Sequence, residues 1–193
     1  MIIYATKQTF ERYNLKLPSE LSPPLNLIAQ SVIEQESGDK LLEWGAKLFY
    51  FDKRKCIQVV NFATKFTLFL VDVKVADLEN IGNMMAYYLL ELYKNDSKMV
   101  YALKKMFDEN PHVCFSKISD KSAIATLNYT QKYFLDDGDR FYEFICKGIL
   151  KTMEINKQVN FNWLFTMKSA GKTDYFYAGE KFREHILDKY NKV

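Results

Sequence analysis

The sequence predicts an α+β fold, a small antiparallel sheet covered by helices. Three observations predict it. Short apolar or β-branched runs lie close together at Lys47–Phe51, Cys56–Val60 and Phe66–Val71. Their separators, Asp52–Lys55 and Asn61–Lys65, are of hairpin length, so the three runs read as an antiparallel meander. Beyond them the apolar spacing changes to three and four residues at Leu78, Ile81, Met85, Tyr88, Leu89 and Leu92, which is one face of a helix.

The remaining elements follow in chain order. Ile2–Ala5 reads as a short buried strand. Thr6 is placed to cap a helix that runs to Tyr13. Leu17–Pro24 holds three of the four prolines and reads as an irregular connection. Apolar residues at 25, 28, 29, 32 and 33 mark a helical face that ends at Ser37-Gly38-Asp39. The run Phe66–Val71 does not alternate, which predicts a central strand with both faces covered.

After the stripe that opens at Leu78, Asn95-Asp96-Ser97 interrupts, and a second helix extends to about Phe107 before Asn110-Pro111. His112–Ile118 alternates like a strand. Ser119 or Asp120 caps a helix with Ile124, Leu127 and Phe134 inward. Asp136-Asp137-Gly138-Asp139 is a polar break. It divides a core domain, residues 1–135, from a carboxy-terminal extension, residues 136–193. In the extension, Phe141, Phe144, Ile145, Gly148, Ile149 and Thr152 form a second helical stripe, and Val159–Met167 reads as a strand or a buried aromatic segment. Gly179–Tyr190 reads as a charged helix with Phe182, Ile186 and Tyr190 inward. Helices at 77–107, 120–135 and 140–153 are expected to cover one face of the sheet.

Composition bounds the function. The 193 residues carry 27 basic and 24 acidic side chains, a net charge of +3, which neither demands nor forbids a nucleic-acid partner. Aromatics reach 16%. Most of the phenylalanines lie in apolar runs, so a core of large rings explains them. Cys56, Cys114 and Cys146 are an odd set without a close pair, as expected of free thiols in a reducing compartment. Met1–Lys7 does not resemble a leader, and the longest apolar run, Met84–Leu90, is too short for a bilayer, so a cytoplasmic protein without membrane attachment is expected.

No assembled chemistry stands out. The two histidines, His112 and His185, lack a second ligand at helical spacing, so neither a metal nor another cofactor is expected. Asp136-Asp137-Gly138-Asp139 lacks the downstream glutamate of a calcium loop and reads as a solvated cap. His112 and Cys114 share a strand face but have no orienting carboxylate. Ser169-Ala170-Gly171-Lys172-Thr173 lacks the first glycine of a phosphate loop. The densest basic cluster is Lys53-Arg54-Lys55, at the expected hairpin tip and just after Tyr50 and Phe51.

A basic tip beside aromatics suits phosphates and bases, and it equally suits a solvated turn that guards a sheet edge. The leading expectation is a non-catalytic binding protein with a protein or nucleic-acid partner, contacted through Trp44, Tyr50, Lys53, Arg54 and Lys55. The alternatives are an enzyme acting on nucleic acid or a nucleotide with Asp120, Ser122 and Asn128 at its site, and a self-associating module using Trp163, Tyr175, Phe176 and Tyr177. Ser122 and Asn128 lie six apart, on different sides of a helix, which weakens the first alternative.

Several ordered motifs are shared with one family. The opening Met1-Ile2-Ile3-Tyr4-Ala5-Thr6-Lys7 matches a short strand ending in Thr-Lys. Trp44-Gly45-Ala46-Lys47-Leu48 matches Trp-x-Ala-x-Leu, and Arg54-Lys55-Cys56 matches an Arg-Lys-Cys turn and strand. Asn61-Phe62-Ala63-Thr64 resembles an Asn-x-x-Thr turn. Asp120–Asn128 is similar in outline to Asn-Arg-Ser-x-x-Gly-x-Met-Asn. Over roughly residues 1–135 the chain therefore resembles a bacterial and phage family of uncharacterised proteins, the domain of unknown function 6933. The resemblance implies order and coarse architecture and a setting in bacteria or their mobile elements. It implies no reaction. The chain departs from the pattern at Gly45, where a histidine is usual, and at Ala125, where a glycine is. Any role tied to that histidine would be absent.

Overall fold

The structure, a computed structural model, describes residues 1–136, 140–169 and 172–191. Of the expected break at Asp136–Asp139, residues 137–139 lie outside the described residues, as do the loop residues Ala170 and Gly171. Five strands form the main sheet: β1 (Ile2–Ala5), β2 (Glu43–Phe51), β3 (Arg54–Asn61), β4 (Thr67–Leu70) and β5 (Cys114–Lys117). Between them lie α1 (Lys7–Tyr13), α2 (Pro23–Glu36), α3 (Ile81–Leu92) and α4 (Ser97–Glu109). After β5 come α5 (Lys121–Gln131), continued by a π-helical turn at Lys132–Asp136, and the short α6 (Arg140–Glu143). A two-residue hairpin, β6 (Ile145–Cys146) and β7 (Ile149–Leu150), leads to α7 (Thr152–Lys157) and a π-helical turn at Gln158–Asn162. The hairpin β8 (Leu164–Ser169) and β9 (Lys172–Tyr177) precedes α8 (Ala178–Tyr190).

The fold is α+β, and the meander of β2, β3 and β4 is antiparallel with the expected order. The sheet as a whole is mixed, not antiparallel. Its order is β4-β3-β2-β1-β5, and β1 runs parallel to both β2 and β5. The reason lies in the connections. β1 reaches β2 only after α1 and α2, and a long helical crossover returns the chain in the same direction, where a hairpin would reverse it.

Helices cover both faces of the sheet, where one was expected. Strand alternation sends Ile3, Trp44, Ala46, Leu48, Ile57, Val59, Leu68 and Leu70 to the face packed by α3, α4 and α8. The opposite face carries Phe49, Phe51, Cys56 and Phe69, which meet Phe134, Phe141, Ile155 and Val159. Phe141 stands edge-on to Phe49 and Phe69 at centroid distances of 5.7 and 5.0 Å. Such edge-to-face pairs add roughly 0.5–1.5 kcal/mol beyond the area they bury. On the same face Ala123 and Leu127 of α5 cover Val60 and Phe62, and Ala29 and Val32 of α2 cover Ile2. The stripe of α3 faces inward as its spacing predicts, as do Phe182, Ile186 and Tyr190 of α8.

The stripe expected to form a helix over 140–153 is broken. Lys147 and Gly148 take φ values of +52° and +75°, which turn the chain into the β6–β7 hairpin. The run Phe66–Val71 yields β4, which is buried on both faces yet sits at the sheet edge. Its outer main-chain groups are closed by two asparagines one helical turn apart. Asn160 Oδ1 accepts from Thr67 N at 2.8 Å, and Asn160 Nδ2 donates to Thr67 O at 2.7 Å. Asn156 Oδ1 accepts from Phe69 N at 2.7 Å, and Asn156 Nδ2 donates to Phe69 O at 3.2 Å. Both side chains are fully buried, so each amide acts as one residue of a neighbouring strand.

Replacing Asn156 or Asn160 with leucine strands one buried N–H and one buried C=O. At roughly 1–3 kcal/mol per unsatisfied group, each variant should lose about 2–5 kcal/mol in urea denaturation. Valine in place of the exposed Thr173 is the control and should change stability by less than about 0.5 kcal/mol.

Candidate binding site at the hairpin end of the sheet

The β2–β3 hairpin closes through a two-residue turn. Asp52 and Lys53 lie at φ +49° and +64°, the left-handed pair that a type I′ turn requires, and Phe51 faces Arg54 across it. Lys53 and Arg54 project into solvent. Lys55 is half-buried, with its ammonium 5.7 Å from the centre of the Tyr13 ring. Tyr50 pairs with Lys55 across the strands and is 48% exposed. The structure thus brings Tyr50, Lys53, Arg54 and Lys55 together at one end of the sheet.

Trp44 does not belong with them. It shares a strand face with Tyr50, but α8 covers that face at its level, leaving Trp44 0% exposed and edge-on to Phe182 at 5.9 Å. A buried indole cannot touch a partner, so its assignment as a contact residue is corrected to a core role.

A cleft of about 410 Å³ runs beside the hairpin, between α1 and the segment that follows α5. It exists because the two paired strands differ in length. β1 pairs β2 only from Glu43 to Ala46, so the edge of β2 beyond Ala46 has no neighbouring strand. Thr9 of α1 caps part of it, its hydroxyl accepting from Leu48 N at 2.9 Å. Among the described residues, no partner meets the outward main-chain N–H and C=O of Tyr50. Gln8 lines one wall, and Gln131 and Tyr142 line the other. Tyr142 is 52% exposed and leans on Phe51 at 4.9 Å, and Gln131 Oε1 is buried without a hydrogen-bond partner among the described residues. Sequence reasoning missed Gln8, Gln131 and Tyr142, because they stand far apart in the chain and carry no motif.

The residues of the enzyme reading are spread along α5, and each meets a lysine from the sheet side. Asp120 caps the helix, accepting from Ala123 N at 2.8 Å, and lies 3.8 Å from Lys40 Nζ. Ser122 Oγ accepts from Lys65 Nζ at 2.6 Å, and Asn128 Oδ1 accepts from Lys47 Nζ at 2.9 Å. Lys65 is only 4% exposed, and burial pulls its pKa down against the opposing pull of Asp120.

The Asn61–Thr64 motif builds a turn. Asn61 Oδ1 accepts from Ala63 N, Thr64 N and Thr64 Oγ1 at 3.2, 3.2 and 3.0 Å, and Asn61 Nδ2 donates to Leu41 O at 2.9 Å. At Gly45 a Cβ would come within 3.1 Å of Ile118 and 3.2 Å of Phe62, so the packing here suits the departure from histidine. In the self-association set, Trp163 packs edge-on to Tyr133 and Phe176 stacks on Phe165, while Tyr175 and Tyr177 are exposed.

Cys114 is buried, which pushes its thiol up to about 11, and its neighbour His112 is exposed. A thiol held protonated is a poor nucleophile. Among the described residues no group of three or more His, Cys, Asp or Glu is placed to hold a metal ion. No helix among them is long and apolar enough to cross a membrane.

Two expectations follow for the thiols. Cys146 is exposed while Cys56 and Cys114 are buried, so iodoacetamide at neutral pH should label Cys146 first, as read by peptide mass mapping. The raised Cys114 value means that the folded state keeps its proton longer than the unfolded chain. Its contribution is therefore complete below pH 9 and is lost as pH rises through 11. Urea midpoints should fall across that window, and less steeply in Cys114→Ala.

Among curated proteins none matches the chain. The family model described as a domain of unknown function, DUF6933, matches residues 2–181. The match continues well past residue 135, where the shared motifs end, and takes in the two asparagines that close β4. The chain belongs to the DUF6933 family.

Proposed function

We propose that the protein is a non-catalytic binding module that holds single-stranded nucleic acid against the hairpin end of its sheet. One juxtaposition carries the reading. Exposed Lys53 and Arg54 stand beside exposed Tyr50, at the mouth of a cleft that has a second exposed ring in Tyr142. Cations on a rigid turn suit phosphates, and exposed rings suit unpaired bases. The type I′ turn holds the cations in place without drawing them into the core. A setting in bacteria or mobile elements belongs to this proposal.

A second reading, an enzyme acting on nucleic acid or a nucleotide, is favoured by the bond between Lys65 and Ser122. Burial favours the neutral form of Lys65, and a neutral amine here would accept the Ser122 proton in place of donating to Oγ, which is one way to activate an oxygen nucleophile. Under it, any phosphodiester or nucleotide hydrolysis by the wild type would vanish in Ser122→Ala at an unchanged thermal midpoint. Equal turnover in the two proteins removes it.

The binding reading is tested by replacing Lys53, Arg54 and Lys55 together with alanine. Oligonucleotide affinity, measured by fluorescence anisotropy over a salt series, should fall, and the slope of log affinity against log salt should shrink by roughly 2. The thermal midpoint should shift by only a few degrees, because two of the three side chains are solvated. Unchanged affinity and slope would sink the assignment. Capture of a protein that survives nuclease, with no oligonucleotide binding, would point to a protein partner instead.

A further inference from the structure

We infer that the cleft beside β2 is a slot for one unstacked nucleobase. The inference rests on the proposed nucleic-acid reading and names what that site recognises.

The slot has the two kinds of group that a base needs. Aromatic surface comes from Tyr142 and Tyr50, both about half exposed and both lining the cleft. Hydrogen-bonding groups come from its walls. Gln131 Oε1 is a buried acceptor without a partner among the described residues, and burying such an atom unpaired costs about 1–3 kcal/mol. A ligand donor placed there would offset that cost. The main-chain N–H and C=O of Tyr50 point out of the β2 edge, with no partner among the described residues. The donor and acceptor of this one residue match the adjacent acceptor and donor that an unpaired base edge presents. The glutamine amide offers the same complementary pair. The volume of about 410 Å³ lies in the range that ordinary small-ligand sites occupy, roughly 300–1,000 Å³.

An extended peptide fits less well. Strand addition needs a row of free main-chain groups along an edge. Here Ala46 O is taken by Thr6 N and Leu48 N by Thr9, so among the described residues Tyr50 alone offers a complete free pair on this edge. That is enough for a planar heterocycle and too little for a ladder. The phosphates flanking a base in the cleft would lie toward the hairpin tip, where Lys53 and Arg54 are exposed.

The test compares three fluorescein-labelled strands of about 12 nucleotides: oligo(dA), oligo(dT) and an abasic strand of equal charge. The wild type should bind oligo(dA) and oligo(dT) each at least tenfold more tightly than the abasic strand. Tyr142→Ala should bring oligo(dA) close to the abasic level. Tyr142→Phe should retain most of the difference. Gln131→Leu should weaken binding of both base-bearing strands while leaving the salt slope unchanged. Equal binding of oligo(dA) and the abasic strand by the wild type overturns the slot but leaves the phosphate reading standing. So does a preference unaffected by Tyr142→Ala and Gln131→Leu, with each variant's fold checked by its thermal midpoint. Absence of binding to all three strands at low salt overturns both readings.

Discussion

The closure of the β4 edge by Asn156 and Asn160 is the contact on which the arrangement depends. A strand at a sheet edge leaves alternate N–H and C=O groups unpaired, and β4 is too buried for water to reach them. Two amide side chains at i and i+4 on one helical face supply a donor and an acceptor each, at the spacing of residues 67 and 69 of the strand. The Asn160 amide nitrogen also donates to Asn156 O at 2.7 Å, which holds the pair together. The π-helical turn that begins at Gln158 lies directly over this contact. The exchange is obligatory, since four buried main-chain groups have no other partner among the described residues. It ties residues 87 and 93 positions apart and brings α7 against the sheet.

Once α7 is held there, the aromatic cluster beneath it has both its walls. Ile155 and Val159 stand on the same segment as the two asparagines and pack on the face that carries Phe69 and Phe49. Phe134 and Phe141 then fill the space between this segment and the β2–β3 hairpin. Phe141 precedes Tyr142, so the core ring positions the exposed ring of the cleft. α5 is held by a different device, lysines that reach across from the sheet side to Ser122 and Asn128. Gln58 adds a buried bond to Thr130 from within the sheet. Polar residues on α5 that suggest a reaction when read in sequence therefore have packing partners that explain their presence.

Much of the fold was legible because it depends on local rules. Thr6 and Asp120 cap helices where their side chains predict, and the stripes of α3 and α8 face inward as their spacing demands. Local rules fail where a distant residue decides. A strand buried on both faces reads as central, but the neighbours of β4 are asparagine side chains, which no periodicity reports. The direction of β1 depends on how the chain returns to the sheet, and the return lies in α1 and α2, not in the strand. The stripe over 140–153 has helical spacing, yet the left-handed Lys147-Gly148 pair breaks it, because two-residue hairpins also bring apolar residues three and four apart. Of the candidate site, the basic tip and Tyr50 were visible as a cluster in sequence. Trp44 was wrongly joined to them because alternation tells which residues share a face, but not how far along the strand that face is covered.

The location of the cleft follows from strand lengths. β2 has nine residues and β1 has four. Where β1 stops, the chain turns into α1 at Thr6, and the helix carries the backbone out of the sheet plane. The outer end of β2 must still be long enough to reach the hairpin turn that pairs it with β3. The mismatch leaves part of one strand edge without a neighbour. Such an edge invites pairing with other chains, and Lys53 and Arg54 at its tip oppose that by charge. The walls of α1 and Tyr142 oppose it by narrowing the opening. A binding role and protection of the edge would therefore ask for the same residues, since a planar ligand narrower than a strand could meet the free groups without undoing the protection.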